Sequence, residues 1–364
     1  MIKSIIEGCK VIFDTTIKLF SNDPFEYLWR QLGMENNDRH IPILKSCNKG
    51  QGYITYVFTI PIGLSIDDFY KNKAAIAQRF HHNSNEIDIE LVNGMALITI
   101  KEGKIDSYRY EDYRFEDELD IPLGIDLNGN IVKWSYANLP SLLLAGSSGS
   151  GKSVTLGVVV SYIVQHIPKA ELYLVDTKYV DLFLYKDAKQ TKCYLEGKEG
   201  VEDLLTELIE IMNERYKTIK NAGYRDVSSY NKNCKDKINP IFVVIEEIGS
   251  FNSDRKSDKL FYELLTELMQ KCRGSLIEVI LTSQTPYVSC LPNTIKNNIG
   301  TIIGLRTTSR KVSESICGDG TQLTSLRGRG HAKIFNDSGM KEFQVFNIND
   351  DTIRCIVEEG NYGK

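Results

Sequence analysis

Eight consecutive residues, Gly146-Ser147-Ser148-Gly149-Ser150-Gly151-Lys152-Ser153, complete a G-x-x-x-x-G-K-S pattern directly after the apolar run Leu142-Leu143-Leu144-Ala145. Glycines at this spacing let successive backbone N–H groups curl around phosphate oxygens. The helix-compatible sequence that begins at Lys152, with Val154 in its first turn, offers its positive end to the same anion. Lys152 has the reach for the β- and γ-phosphates, and the Ser153 hydroxyl can ligate Mg²⁺. The pattern predicts a cradle for Mg-ATP.

Turnover needs a second strand whose carboxylates face the phosphates. Ile241-Phe242-Val243-Val244-Ile245-Glu246-Glu247 has that form, with Glu246 expected toward the metal and Glu247 as the general base on the attacking water. Glu246 stands where Asp is usual and is one methylene longer. A third strand-like run, Val279-Ile280-Leu281-Thr282-Ser283, ends at Gln284, whose amide can bond both the γ-phosphate and the water. Arg273 falls at a helix-to-strand turn eleven positions earlier, where it is not expected to reach its own phosphate and could serve a neighbour's site.

Elements able to position these groups can be read from periodicity. Short apolar runs at Leu172 to Val175, Ile241 to Ile245, Val279 to Thr282 and Thr301 to Leu305 predict buried strands. Helical patterns from Val201 to Ala222, with Gly223 as the cap, and from Ser257 to Cys272 alternate with them, which predicts a mostly parallel α/β sheet. Gly124 to Ile131 reads as a hairpin leading into the cradle strand.

Upstream, Tyr53 to Ile60 predicts a strand, Ser65 opens a helix through Phe80, and Asn93-Gly94 joins two further strands at Ile87 to Val92 and Met95 to Ile100. A small β-α-β-β module thus precedes the nucleotide domain. Gln31 to Gly52 reads as a polar, loop-rich entry. The first twenty residues have loosely helical spacing and read as a helix packed on the body, with membrane-surface or partner docking as the alternative.

The 364 residues are 42% hydrophobic and carry a formal charge of −4, which fits about two soluble domains. No apolar run reaches the roughly 18 residues of a bilayer span, and no signal peptide is recognisable, so a cytoplasmic setting is expected. Eight cysteines without a C-x-x-C pair, and five histidines without metal-ligand spacing, point to a reducing compartment and no structural zinc. Between Gln270 and Phe343 ten basic residues face five acidic ones, leaving that stretch at +5 and the remainder at −9. Any contact with nucleic acid is therefore expected to be local.

Taken in order, the motifs resemble the FtsK/SpoIIIE group of ring-forming DNA-translocating ATPases. The resemblance runs from about Ile121 to Asp350. It uses the cradle; Val175-Asp176-Thr177-Lys178 with Asp181-Leu182; Met212-Asn213-Glu214-Arg215-Tyr216; Arg273-Gly274; Leu281 to Pro286; Leu305-Arg306-Thr307-Thr308-Ser309; and Leu326-Arg327-Gly328-Arg329-Gly330. It implies a RecA-like P-loop motor over 119–364, a small α+β domain over 45–118, and a helical or linker segment over 1–44. It also implies a homo-oligomer, a hexamer around double-stranded DNA, with Arg273 as an arginine finger given to the adjacent subunit. Lys296, Arg310 and Lys311 would lie on pore loops that touch the DNA backbone.

The small module is similar to that of Tcp-like conjugation coupling ATPases of Gram-positive mobile elements. This implies transfer of plasmid or mobile-element DNA, with partner proteins at the membrane or in a relaxosome drawing the chain to the inner face of the cell membrane. The alternatives are a polypeptide-moving ATPase of a specialised secretion system, a chromosome or plasmid segregation translocase, and a nucleotide-gated scaffold with little turnover.

Overall fold

The computed structural model describes residues 25–50, 53–82, 87–101, 108–115, 120–126, 128–136, 138, 141–284, 286 and 289–362. The predicted helix in the first twenty residues lies outside them. The chain divides into two compact units between Ile105 and Asp106.

In the first unit, β1 (Leu44–Gly50), β2 (Tyr53–Thr59), β3 (Ile87–Val92) and β4 (Met95–Lys101) form an antiparallel sheet in the order β1-β2-β4-β3. Strict alternation along β2 buries Ile54, Tyr56 and Phe58 on one face, as a half-buried strand requires. Asn93 and Gly94 take positive φ of 51° and 76°, the two left-handed residues of a type I′ hairpin turn. Three helices cover the buried face: α1 (Glu26–Gln31), α2 (Ile66–Lys71) and α3 (Lys73–Arg79). Ser65 starts α2, its backbone N–H donating to Asp68 Oδ2 at 2.8 Å. The single predicted helix breaks at Asn72, whose Nδ2 donates back to the Asp68 carbonyl at 2.9 Å.

The sequence reading of 31–52 as a loop-rich entry is corrected here. That stretch contains β1, a polar strand with a bulge between Leu44 and Ser46. Phe25, Trp29 and Met34, placed by sequence in a separate segment, are buried in the same core as Phe58 and Phe69, with Trp29 edge-on to Phe58 at 5.0 Å.

The second unit is built on a ten-stranded sheet in the order β6-β5-β14-β13-β12-β7-β11-β10-β8-β9. Its strands are β5 (Asp120–Asp126), β6 (Ile131–Ser135), β7 (Leu142–Ala145), β8 (Glu171–Asp176), β9 (Thr191–Glu196), β10 (Ile241–Glu246), β11 (Ile277–Ser283), β12 (Thr301–Leu305), β13 (His331–Asn336) and β14 (Gly339–Val345). From β12 through β9 every pairing is parallel; from β12 outward through β13, β14, β5 and β6 every pairing is antiparallel. Sequence reading found the parallel strands β7, β8, β10, β11 and β12 and the β5–β6 hairpin, and missed β9, β13 and β14.

Seven helices follow in chain order: α4 (Lys152–His166), α5 (Val201–Asn221), α6 (Val227–Asn233), α7 (Lys259–Lys271), the short α8 (Asn293–Lys296), α9 (Arg310–Cys317) and α10 (Asp350–Tyr362). Helices α4 and α10 pack on one face of the sheet, and α5, α7 and α9 on the other. Sandwiched between sheet and α10, α4 is apolar almost all round: Leu156, Val158, Val159, Val160 and Ile163 are all buried, as expected for an interior helix. The carboxylate strand β10 is separated from the cradle strand β7 by β11, so three parallel strands end side by side with their functional residues at one edge. Ligands of open α/β sheets sit at such carboxyl-terminal edges.

Candidate nucleotide site

The cradle begins where β7 stops, and both neighbouring strands hold it. The Gly146 amide donates to the Ser283 carbonyl at the end of β11, and the Ser147 amide to the Arg306 carbonyl just past β12, each at 3.1 Å. Gly149 and Gly151 have φ of +73° and +107°, conformations that side chains disfavour. A Cβ on Gly151 would lie 2.5 Å from the Gly330 nitrogen. That nitrogen donates to the Ser150 carbonyl at 2.7 Å, so the Gly328–Gly330 turn backs the cradle directly.

Ser150 Oγ is buried without a hydrogen-bond partner, and Ser153 is exposed in the first turn of α4. Left-handed glycines, an unpartnered hydroxyl and a helix N-terminus fit a phosphate chain, and the exposed Ser153 hydroxyl fits a divalent cation beside it.

Across the edge, Glu247 stands at φ 50°, ψ 72°, a left-handed residue of the kind that collects at functional sites. Its backbone N–H donates to Thr282 Oγ1 at 2.9 Å, and its Oε1 accepts from the Gln284 backbone N–H at 3.1 Å. Oε2 accepts from two lysines, Lys152 Nζ at 3.1 Å and Lys178 Nζ at 2.7 Å. Burial alone would raise the Glu247 pKa, but Lys152, Lys178 and the Gln284 amide together hold it below the usual carboxylate value. The neighbouring Glu246 is fully buried. Desolvation there outweighs both lysines and raises its pKa. Thr177 Oγ1 donates to Glu246 Oε2 at 3.2 Å, and Lys178 Nζ lies 3.3 Å from its Oε1.

The structure thus brings together Lys152, Ser153, Glu246, Glu247 and Gln284, all anticipated from sequence. Lys178 and Thr282 were quoted in motifs but given no role. Their signal was present, since Asp176 and Glu246 are register partners in the parallel β8–β10 pair. The residues after Asp176 must therefore lie beside Glu246 and Glu247. Asp176 itself, buried, accepts from the Leu182 amide at 3.0 Å and shapes the loop that carries Lys178.

Arg273 is elsewhere. It lies in the turn Cys272–Ser275 that precedes β11, at the opposite end of the sheet from the cradle, exposed, with Nη2 donating to the Asn138 carbonyl at 3.4 Å. One β11 strand, about 20 Å at roughly 3.3 Å per residue, separates that turn from Gln284. The three anticipated DNA contacts converge on α9. Arg310 and Lys311 are exposed in its first turn, with Ser309 as N-cap. Lys296 is half-buried and donates from Nζ to the Ser315 carbonyl near the far end of α9. Its ammonium caps a helix end instead of standing free.

A glycine-lined loop running from a central parallel strand into a buried helix, faced by two adjacent glutamates one strand beyond its neighbour, defines a RecA-like P-loop nucleotide-binding protein. Residues 108–329 match the FtsK/SpoIIIE family, and the chain belongs to that family. It is 31% identical over 278 residues to the DNA translocase FtsK of Caldanaerobacter subterraneus, covering 74% of this chain and 38% of that protein. It is 27% identical over 287 residues to the DNA translocase FtsK of Streptococcus agalactiae, with coverages of 74% and 34%. The chain therefore spans well under half the length of these relatives.

The fold is also that of the pCW3 conjugation coupling protein TcpA, solved as a monomer with ATPγS. The TM-score is 0.66 at 23% identity, over 92% of this chain and 98% of that one. EssC ATPases 2 and 3 from Geobacillus thermodenitrificans share it with a TM-score of 0.62 at 17% identity, over 72% and 52%. No helix among the described residues is long and apolar enough to cross a membrane.

Proposed function

We propose that the chain is an ATP-driven motor for double-stranded DNA that works as a hexameric ring and moves plasmid or mobile-element DNA during conjugative transfer. The observation that carries this reading is the pairing of a complete cradle with Glu247, held by Lys152, Lys178 and the Gln284 amide, in a chain of the FtsK/SpoIIIE family. Shared layout with the coupling protein along nearly all of both chains favours transfer over segregation.

In this reading the cradle amides and Lys152 bind the triphosphate, and Lys152 exchanges Glu247 for the β- and γ-phosphates. Glu247, kept ionised by Lys178, takes the proton of the attacking water, while Gln284 orients that water against the γ-phosphate. Ser153 and Glu246 would hold Mg²⁺, which would supply charge neutralisation at the phosphates. Arg273 cannot reach its own cradle and serves the adjacent subunit's, neutralising charge that develops on the transferred phosphoryl group. Arg310 and Lys311 bind the DNA backbone, which carries no sequence information. Partner proteins draw the ring from the cytoplasm to the membrane.

The test is ATP hydrolysis with duplex DNA, single-stranded DNA or none, across protein concentration and at low salt. Duplex-specific stimulation that grows as subunits associate is expected. Equal rates under all three conditions in an associated preparation would remove DNA as the substrate. Stimulation by polypeptide instead would point to secretion.

A further inference from the structure

Between the cradle and α9 runs a continuous set of hydrogen bonds that the mechanism above does not use. Ser147, second residue of the cradle, is tied twice to the segment after β12: its amide donates to the Arg306 carbonyl at 3.1 Å, and its hydroxyl donates to Thr307 Oγ1 at 3.3 Å. Thr307 is buried. The same Oγ1 accepts from the Ser309 amide at 3.3 Å. Ser309 Oγ in turn accepts from the Val312 amide at 3.4 Å as the N-cap of α9. The next two residues are Arg310 and Lys311. The far end of the helix is fixed as well, by Lys296 on the Ser315 carbonyl and by Ser313 Oγ, which donates to the Asp319 carbonyl at 2.5 Å. α9 is thus anchored at both ends, and the anchor at its basic end includes one buried hydroxyl, Thr307 Oγ1, that is itself bonded to the cradle.

We propose that Thr307 is a positioning residue that couples nucleotide in the cradle to the grip of Arg310 and Lys311 on DNA. The inference rests on the proposed reading of the chain as a DNA motor. When phosphate draws the cradle amides inward, Ser147 moves with them, and the hydroxyl of Thr307 passes the shift to the amide of Ser309 and so to the cap of α9. Thr307 touches neither the nucleotide nor DNA. Its effect is a coupling between two sites, and such coupling is reciprocal: ATP alters DNA affinity by the same factor as DNA alters ATP affinity. Of the two ties from Ser147, the one to Thr307 Oγ1 is the one that continues to the Ser309 amide at the cap of α9, whereas the Arg306 carbonyl meets the Ser147 amide and the Arg306 side chain is exposed.

The experiment is titration of a fluorescent duplex of arbitrary sequence with full-length protein, with and without saturating ATPγS, paired with titration of ATPγS alone. Wild type is expected to show a change in duplex affinity of about fivefold or more on adding ATPγS, the lower end of ordinary coupling. Thr307→Val is expected to keep each separate affinity within about twofold while the coupling factor falls toward one, and Thr307→Ser, which restores the hydroxyl, to recover it. A merely structural role would weaken both separate affinities together and would not be rescued in this way. Ser309→Ala, which leaves Thr307 in place and removes the cap, is expected to lower the coupling too, and it keeps the test decisive where Thr307→Val does not fold. Full coupling in either variant overturns the proposal, as does wild type that binds both ligands without coupling. Wild type that binds no duplex at all overturns the DNA-motor reading instead.

Discussion

Replacing Glu247 by glutamine is expected to tighten ATP binding while stopping turnover. Lys152 donates to Glu247 Oε2 at 3.1 Å with both side chains nearly buried, and on the proposed reading a triphosphate competes for the same ammonium. A hydrogen bond to a charged partner contributes about 1.5–3 kcal/mol and a neutral one about 0.5–1.5 kcal/mol. The amide therefore removes roughly 1–1.5 kcal/mol of competition for Lys152, which corresponds to about a five- to tenfold lower Kd. Lys178 keeps a carboxylate partner, since Glu246 Oε1 stays 3.3 Å away, and the glutamine carbonyl can still accept from the Gln284 amide, so the loop should hold its shape. Loss of the proposed general base is expected to lower phosphate release by about 10²–10⁴-fold. Equilibrium binding of a fluorescent ATP analogue and single-turnover phosphate release measure the two effects on the same preparation. Weaker nucleotide binding, or turnover within a few-fold of wild type, would refute both the competition and the role given to Glu247.

Gly151→Ala places a Cβ 2.5 Å from a backbone nitrogen at φ +107°. The torsion alone costs about 1–3 kcal/mol, so ATP binding should weaken at least fivefold, whereas Gly149→Ala meets open space and should cost less; equal losses in a binding titration would count against the Gly330 contact. Arg273→Ala should retain ATP affinity and lose about 10³-fold or more in turnover, and added Glu247→Gln chains, inactive themselves, should restore part of it; failure of the mixture to regain activity would argue against donation between subunits. Glu278 is buried against the Ser141 amide, and desolvation pushes its pKa up to about 8. The native chain then holds a proton that the unfolded chain releases above about 4.5, so Glu278 removes stability as pH rises from there toward 8. Glu278→Gln should gain in thermal midpoint over wild type across that range, and a pH-independent difference would show that the carboxyl is not protonated in the fold.

Much of the second unit is legible in sequence because parallel strands are buried on both faces and leave uninterrupted apolar runs. β7, β8, β10, β11 and β12 all announce themselves in that way, and polar residues at their ends mark the site. β13 does not, because its inward positions include His331 and Lys333. Glu342 on β14 lies 2.8 Å from His331 Nε2 and 3.5 Å from Lys333 Nζ, which offsets their burial. No periodicity reveals a charge whose partner is on another strand. β1 was hidden for the opposite reason, as a polar edge strand with a bulge. In the site, Glu246, Glu247 and Gln284 follow from single runs, while Lys178 and Thr282 emerge only when β8, β10 and β11 are set in register.

On the proposed reading, the separation of Arg273 from the cradle by the length of β11 would make each chain contribute half of two different reaction centres. On the proposed assignment, an isolated chain has no complete centre, and a pair of chains completes one while leaving an unused cradle at one end and an unused arginine at the other. An open arc of any length keeps one such idle pair, and only closure eliminates it. Output per chain should therefore climb with association and rise once more when the last gap shuts, so a partner or a length of duplex that favours closure would regulate the motor without touching a nucleotide.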